Sequence, residues 1–80
     1  MNKQEVFEAV KKSIVEIIPE LSTRAITLED SLRELGANSI DRAEILIQTM
    51  SDLQVKIPLL EFGSAKNIND IVSVIVDKQK

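Results

Sequence analysis

One serine in this sequence lies where its hydroxyl could carry a chemical group. Residues 35–41, LGANSID, place Ser39 just after the turn permitted by Gly36 and at the start of a predicted helix. A helix N-terminus attracts anions because its first backbone N–H groups have no intrahelical acceptor. A phosphate on Ser39 would therefore lie in a favourable field. Taken alone, this stretch favours the simpler interpretation that Ser39 is an N-cap.

Independent catalysis is hard to build from this composition. The chain has no cysteine and no histidine, which removes Ser-His-Asp and Cys-His nucleophilic systems and zinc sites made of these residues. We expect no metal site and no catalytic residue. If the chain takes part in chemistry, we expect another protein to catalyse it.

Charge and hydropathy exclude further classes. The net charge is −3 and the pI is about 4.9, so the positive footprint of a nucleic-acid binder is missing. With two Phe and no Trp or Tyr, the chain has no base-stacking platform. The apolar runs are too short for a membrane span, and the N-terminus lacks an apolar signal core. We expect a cytoplasmic monomer that binds neither nucleic acid nor membrane.

The elements that must position Ser39 are predicted to be helices. Residues 3–18 have apolar side chains three and four residues apart, and Pro19 should end this helix: Val6, Phe7, Val10, Ile14, Ile17, Ile18. Residues 19–38 form a long connection, with a short helical turn expected near the capping pairs Thr27/Asp30 and Ser31/Glu34. Three of its four leucines are spaced to fix it onto a core: Leu28, Leu32, Leu35.

A second helix is predicted over residues 39–53, capped by Asn38 or Ser39. Its apolar stripe is predicted to contain Ala43, Leu46, Ile47, Met50 and Leu53. Residues 54–66 suggest a turn and one short helix. Asn67 and Asp70 cap a final helix, before a polar tail at 77–80, and its buried face is predicted to contain Ile68, Ile71, Val72, Ile75 and Val76. The expected fold is all-α: a three-to-four-helix bundle in a single domain, residues 1–80.

The chain resembles the acyl carrier protein family over nearly its whole length. The family pattern is a first helix, a long loop, a Leu-Gly-x-Asp-Ser-Leu motif that opens the second helix, a short third helix and a final helix. Here the motif reads LGANSI at residues 35–40, and LEDSL at residues 28–32 is similar to the loop segment that precedes it. The resemblance implies that Ser39 carries a 4′-phosphopantetheine arm, which a phosphopantetheinyl transferase adds from coenzyme A.

The resemblance also implies what the arm does. Its terminal thiol would hold an acyl thioester, so that a protein without cysteine presents one substrate to successive enzymes at high effective concentration. Two positions depart from the family pattern: Asn38 replaces the usual aspartate, and Ile40 replaces the usual leucine. Asn38 keeps the capping ability but loses a charge, which leaves open the choice of transferase.

The second helix is the main docking surface in this family. By resemblance, the expected contacts are Asn38, Ile40, Asp41, Arg42 and Glu44, with Glu44 the best single candidate. Acidic residues there would meet basic residues on partners in fast, transient encounters. An ordinary solvated face with incidental charges is the alternative. Met50 is expected in the core.

The segment at residues 36–42, GANSIDR, is similar to discrete carriers of polyketide pathways that introduce β-branches. A start at Met1 and a polar tail indicate a free-standing carrier. The implied cargo is malonyl, decarboxylated to acetyl. The implied partners are an acyltransferase, a ketosynthase-like decarboxylase and a hydroxymethylglutaryl-CoA synthase-like enzyme.

Two alternatives stay open at this point: a carrier of fatty-acid synthesis, and a helical interaction module without a covalent arm. A peptidyl or aminoacyl carrier fits the motif less well. Attachment of phosphopantetheine separates a carrier from the module. Ser39→Ala should abolish attachment and leave the fold nearly intact, because a lost N-cap costs only about 0.5–2 kcal/mol.

Overall fold

The computed structural model describes residues 1–78, which form three α-helices and two short 3₁₀ helices. Helix α1 spans Lys3–Ile17, α2 spans Ser39–Leu53 and α3 spans Ile68–Lys78. The 3₁₀ helices are Pro19–Thr23 and Leu59–Phe62. The predicted all-α bundle is confirmed, and so are the predicted bounds of α2.

Helix α1 is the centre of the bundle. It packs against both α2 and α3, whereas α2 and α3 touch each other little within residues 1–78. Asn2 begins α1 by accepting a hydrogen bond from the Glu5 backbone N–H at 2.9 Å, and Pro19 follows its C-cap, Ile18. The apolar core draws on all three α-helices, on the second 3₁₀ helix and on the connections: Val6, Val10, Ile14, Leu32, Leu35, Ala37, Ile45, Met50, Ile57, Phe62, Ile68, Ile71, Val72 and Ile75.

The apolar stripe predicted for α2 is wrong at Ile47 and omits the buried Ile45. Ile45 and Thr49 are fully buried, but the predicted Ile47 is 53% exposed. Met50 lies in the core as expected. The other members of the predicted stripe are partly buried: Ala43, Leu46, Leu53. Residues 45–47 are all apolar and turn about 100° each, so they cannot share one face, and it is Ile45 that enters the core.

Of the residues predicted for the buried face of α3, Val76 is only half-buried. The other four are confirmed in the core: Ile68, Ile71, Val72, Ile75. As predicted, Asn67 caps this helix, because its Oδ1 accepts from the Asp70 N–H at 2.9 Å. Asp77 and Lys78 belong to the helix rather than to a tail, and Gln79 and Lys80 lie outside the described residues.

The long connection is ordered by the core and by α3. Leu32 and Leu35 are buried as predicted, and Leu28 is half-buried against the same cluster. The expected short helical turn exists, but it is the 3₁₀ helix that directly follows α1. The two capping pairs instead close turns through one side-chain bond each: Thr27 N–H to Asp30 Oδ2 at 2.8 Å, and Glu34 N–H to Ser31 Oγ at 3.4 Å.

Backbone bonds join this connection to α3. The Ile68 N–H donates to the Asp30 carbonyl at 2.9 Å, and the Asn69 N–H donates to the Leu28 carbonyl at 2.9 Å. These are first-turn donors that have no acceptor within their own helix. The connection thus caps α3 and is held in place by it.

Two buried hydroxyls lie in the helical core. Thr49 Oγ1 donates to the Ile45 carbonyl at 2.7 Å, but within residues 1–78 the fully buried Ser13 Oγ has no hydrogen-bond partner. An unpaired buried polar group keeps its desolvation cost without compensation.

We therefore expect Ser13→Ala to raise the free energy of unfolding by about 1 kcal/mol, through the lost desolvation penalty and the higher helix propensity of alanine. Urea unfolding measures this. Ser51→Ala, at an exposed position of α2, isolates the propensity effect. A loss of stability in Ser13→Ala that exceeds any loss in Ser51→Ala would contradict the assignment of an unpaired hydroxyl.

Candidate functional site

Ser39 is the first residue of α2, and it is not the N-cap. Asn38 takes that position: its Oδ1 accepts from the Asp41 N–H at 2.8 Å, and the Asp41 carboxylate accepts from the Asn38 N–H at 3.4 Å. This reciprocal pair is a capping box. Of the two predicted caps, the structure selects Asn38, which leaves the Ser39 hydroxyl free of a capping role.

The surroundings of Ser39 leave its hydroxyl accessible. The residue is exposed, and within residues 1–78 its side chain makes no hydrogen bond. The backbone N–H groups of Ser39 and Ile40 also donate no bond to the connection. A phosphate attached to the Ser39 hydroxyl would thus lie near two unbonded N–H donors and the positive end of the helix dipole.

The turn before α2 depends on Gly36 and on a backbone bond. Gly36 has φ of +100°, a conformation that L side chains rarely adopt, although its Cβ position is open space. The next residue, Ala37, is 3% exposed, and its N–H donates to the Leu32 carbonyl at 3.0 Å. The chain therefore changes direction at Gly36, is held by the buried Ala37 and its backbone bond, and reaches the N-cap position of α2 at Asn38.

Arg42 fixes the same turn from the helix side. Its Nη1 donates to the Ala37 carbonyl at 2.9 Å, and the side chain is partly buried. This contact was missed at the sequence level, where Arg42 was grouped with the docking residues. No sequence signal marks it, because a hydrogen bond to a main-chain carbonyl depends on the shape of the loop.

The other predicted docking residues divide between structure and surface. Asn38 and Asp41 form the capping box, whereas Ile40, 68% exposed, and Glu44 face outward. Ile47, which the sequence interpretation placed in the core, lies seven residues after Ile40 and shares its face. The result is an exposed α2 surface of Ile40, Glu44 and Ile47.

Comparison with known proteins identifies the family. The model of the phosphopantetheine attachment site family matches residues 8–75. The chain belongs to this family of carrier proteins. The fit is consistent with the site, because Ser39 offers an exposed, unbonded hydroxyl at a helix N-terminus.

Two sequence relatives are acyl carrier proteins. The chain is 45% identical over 78 residues to the polyketide biosynthesis acyl-carrier-protein AcpK of Bacillus subtilis (strain 168), covering 98% of this chain and 95% of that protein. It is 29% identical over 72 residues to the acyl carrier protein homolog of Mycoplasmopsis pulmonis (strain UAB CTIP), covering 90% and 99%. The predicted likeness to acyl carriers, and to polyketide carriers in particular, is confirmed.

A solved structure gives a narrower likeness. It is the curacin biosynthetic pathway HMG synthase in complex with an acetyl donor-ACP, where HMG is hydroxymethylglutaryl. The matched chain has a TM-score of 0.88 and 40% identity, covering 94% of this chain and 96% of its own length. Near-complete coverage of both chains means that the match is to the small carrier of that complex. Separately, no helix within residues 1–78 is long and apolar enough to cross a membrane.

Neighbouring alanine substitutions separate the cap from the candidate attachment residue. We expect Asn38→Ala to lower the free energy of unfolding by about 1 kcal/mol, because the Asp41 N–H loses its acceptor. Ser39→Ala should change it by less than about 0.5 kcal/mol, as expected for a surface substitution that breaks no bond. Thermal and urea unfolding of both variants measure the difference. An equal loss in the two would contradict the assignment of Asn38 as the cap.

Proposed function

We propose that Ser39 carries a 4′-phosphopantetheine arm and that the chain is a non-catalytic acyl carrier of a polyketide pathway. The observation that carries this proposal is the free Ser39 hydroxyl at the first position of α2, beside two unbonded backbone N–H groups. A phosphopantetheinyl transferase would attach the arm from coenzyme A. When bound, the arm supplies a thiol for thioester formation, and the chain contributes tethering and presentation.

Local chemistry supports Ser39 over other hydroxyls. Thr49 and Ser13 are fully buried, and Ser31 accepts the Glu34 N–H. Ser39 combines exposure with the field of a helix N-terminus, which favours a phosphodiester. The capping box holds this helix start in place without using the hydroxyl, so modification need not disturb the cap.

Within polyketide synthesis, we propose the role of donor carrier in β-branching. The 40% identity to the acetyl donor carrier supports this role, as does the 45% identity to a polyketide carrier. The carrier would receive malonyl from an acyltransferase, and a ketosynthase-like decarboxylase would convert it to acetyl. A hydroxymethylglutaryl-CoA synthase-like enzyme would then take the acetyl group. The cytoplasmic location and the monomeric state stay predictions.

We propose that partners dock on the exposed α2 surface of Ile40, Glu44 and Ile47. Exposed apolar side chains with an acidic residue between them fit a partner surface that has an apolar depression and basic residues. Asn38, Asp41 and Arg42 contribute by fixing the helix start next to that surface. Their predicted direct contact with partners is part of this proposal.

Intact mass tests the attachment. After incubation with coenzyme A and a broad-specificity phosphopantetheinyl transferase, the wild type should gain one phosphopantetheine group, and Ser39→Ala should gain none. Ser51→Ala, an exposed serine at the other end of α2, should be modified like the wild type. A folded wild type left unmodified by several transferases would refute the proposal, and modification of Ser39→Ala would refute the site.

Affinity for a hydroxymethylglutaryl-CoA synthase-like enzyme of a polyketide pathway tests the docking surface. We expect Ile40→Ser and Glu44→Lys each to raise the Kd of the acetyl-loaded carrier roughly tenfold, as for loss of an interface contact. Glu20→Lys makes the same charge change in the first 3₁₀ helix and should leave the Kd unchanged. Equal effects of the two lysine variants would indicate a response to net charge alone.

A further inference from the structure

A cleft between α2 and α3 collects cationic side chains in a chain that is acidic overall. The cleft has a volume of about 530 Å³, and three of its lining residues are cationic: Arg33, Arg42 and Lys66. None of the lining residues within the described chain is acidic, although the net charge is −3. The rest of the lining is mixed, with apolar Leu46 and Phe62 beside polar Ser31 and Asn67. This distribution suits an anion with a small apolar neighbour.

The three cations have no carboxylate partner in the described chain. Within residues 1–78, Arg33, Arg42 and Lys66 take part in no ion pair, which is also true of Lys3 and Lys56, whereas Lys78 pairs with Glu61 at 2.7 Å. The Arg42 guanidinium has five N–H donors, and one of them donates to the Ala37 carbonyl. The cleft therefore keeps unused positive charge and unused donors.

The cleft begins one helical turn from Ser39. Arg42 and Leu46 follow Ser39 by three and seven residues, a spacing that places all three on one side of α2. At 1.5 Å rise per residue, they lie roughly 4.5 and 10.5 Å along the axis from the helix start. A flexible arm attached at Ser39 can thus bring its far end into the cleft.

We infer that this cleft holds the carboxylate of an acidic acyl group, such as malonyl, and does not retain acetyl. The inference rests on the proposed attachment of the arm to Ser39. Arg33 and Lys66 would form charge-assisted bonds to the carboxylate, and Arg42 would add its remaining donors. Acetyl carries no charge and gains none of these bonds.

The phosphodiester of the arm is a second anion that these cations could attract. It would be bonded to Ser39 Oγ at the exposed start of α2, whereas Arg33 and Lys66 come from the connection and from the segment before α3. A group at the end of the flexible arm is therefore the more suitable partner for those two side chains, and Arg42, one turn after Ser39, is the cation nearest to the phosphodiester along α2. Comparison of loaded forms separates the two anions.

The test uses NMR of the full chain in its apo, phosphopantetheinylated, acetyl and malonyl forms. We expect backbone amide shifts at Ala65, Lys66 and Ile71 to change in the malonyl form and to stay in place in the other modified forms. With a ¹³C-labelled malonyl carboxyl, we expect its pKa to lie about one unit below that of malonyl-pantetheine, because nearby cations favour the carboxylate.

A charge-matched pair of double variants completes the test. Arg33→Gln with Lys66→Gln should abolish both effects, and Lys3→Gln with Lys56→Gln removes two exposed cations outside the cleft and should preserve them. The same amide shifts in the acetyl form, or already in the phosphopantetheinylated form, would overturn the inference. The inference would also be overturned if the pKa of the malonyl carboxyl were the same in the Arg33→Gln, Lys66→Gln variant as in the wild type.

Failure of this inference is distinguishable from failure of the proposed function. Intact mass reports whether Ser39 carries the arm before any spectrum is recorded. A protein that is loaded with malonyl but shows the spectrum of the acetyl form is a carrier without a carboxylate site.

Discussion

The fold depends on the bonds by which the long connection caps α3. Ile68 and Asn69 donate to the carbonyls of Asp30 and Leu28, both at 2.9 Å. A connection of this length would otherwise cost conformational entropy with little return. Because it supplies acceptors that α3 lacks, and because Leu32 and Leu35 enter the core beside it, the path to Gly36 is fixed. The position of Ser39 follows from a contact with a helix that is remote in sequence.

The start of α2 shows how local chemistry leaves a hydroxyl available. The capping box of Asn38 and Asp41 satisfies the helix start, and Arg42 holds the preceding turn through the Ala37 carbonyl. Serine is itself a good capping residue, so a neighbour had to take the cap for Ser39 to be free. Asn38 supplies the same acceptor as the aspartate of the family motif and adds no charge.

Much of this could be read from the sequence, because the signals were local. Pro19 marks the end of α1, Gly36 permits the turn before α2, the side chain of Asn67 caps α3, and the bounds of α2 were predicted to the residue. The burial of Ile45 in place of Ile47 was not, because consecutive apolar residues at 45–47 leave the choice between them to packing in the core. The role of Arg42 was also beyond the sequence, since its acceptor is a main-chain atom. The cationic cleft between α2 and α3 is lined by residues from separate elements, so no regular spacing along the sequence predicts it.

The uneven packing of the bundle has a mechanical consequence. α1 binds both of the other long helices, whereas α2 and α3 share few contacts within residues 1–78. The stiffness of the molecule is therefore directional: separating α1 from either neighbour breaks the core, but moving α2 and α3 apart breaks little. A bundle built this way can widen along one seam, the boundary between α2 and α3, while the contacts of α1 with both helices stay in place. On the α2 side, this seam starts at Arg42, one helical turn after Ser39.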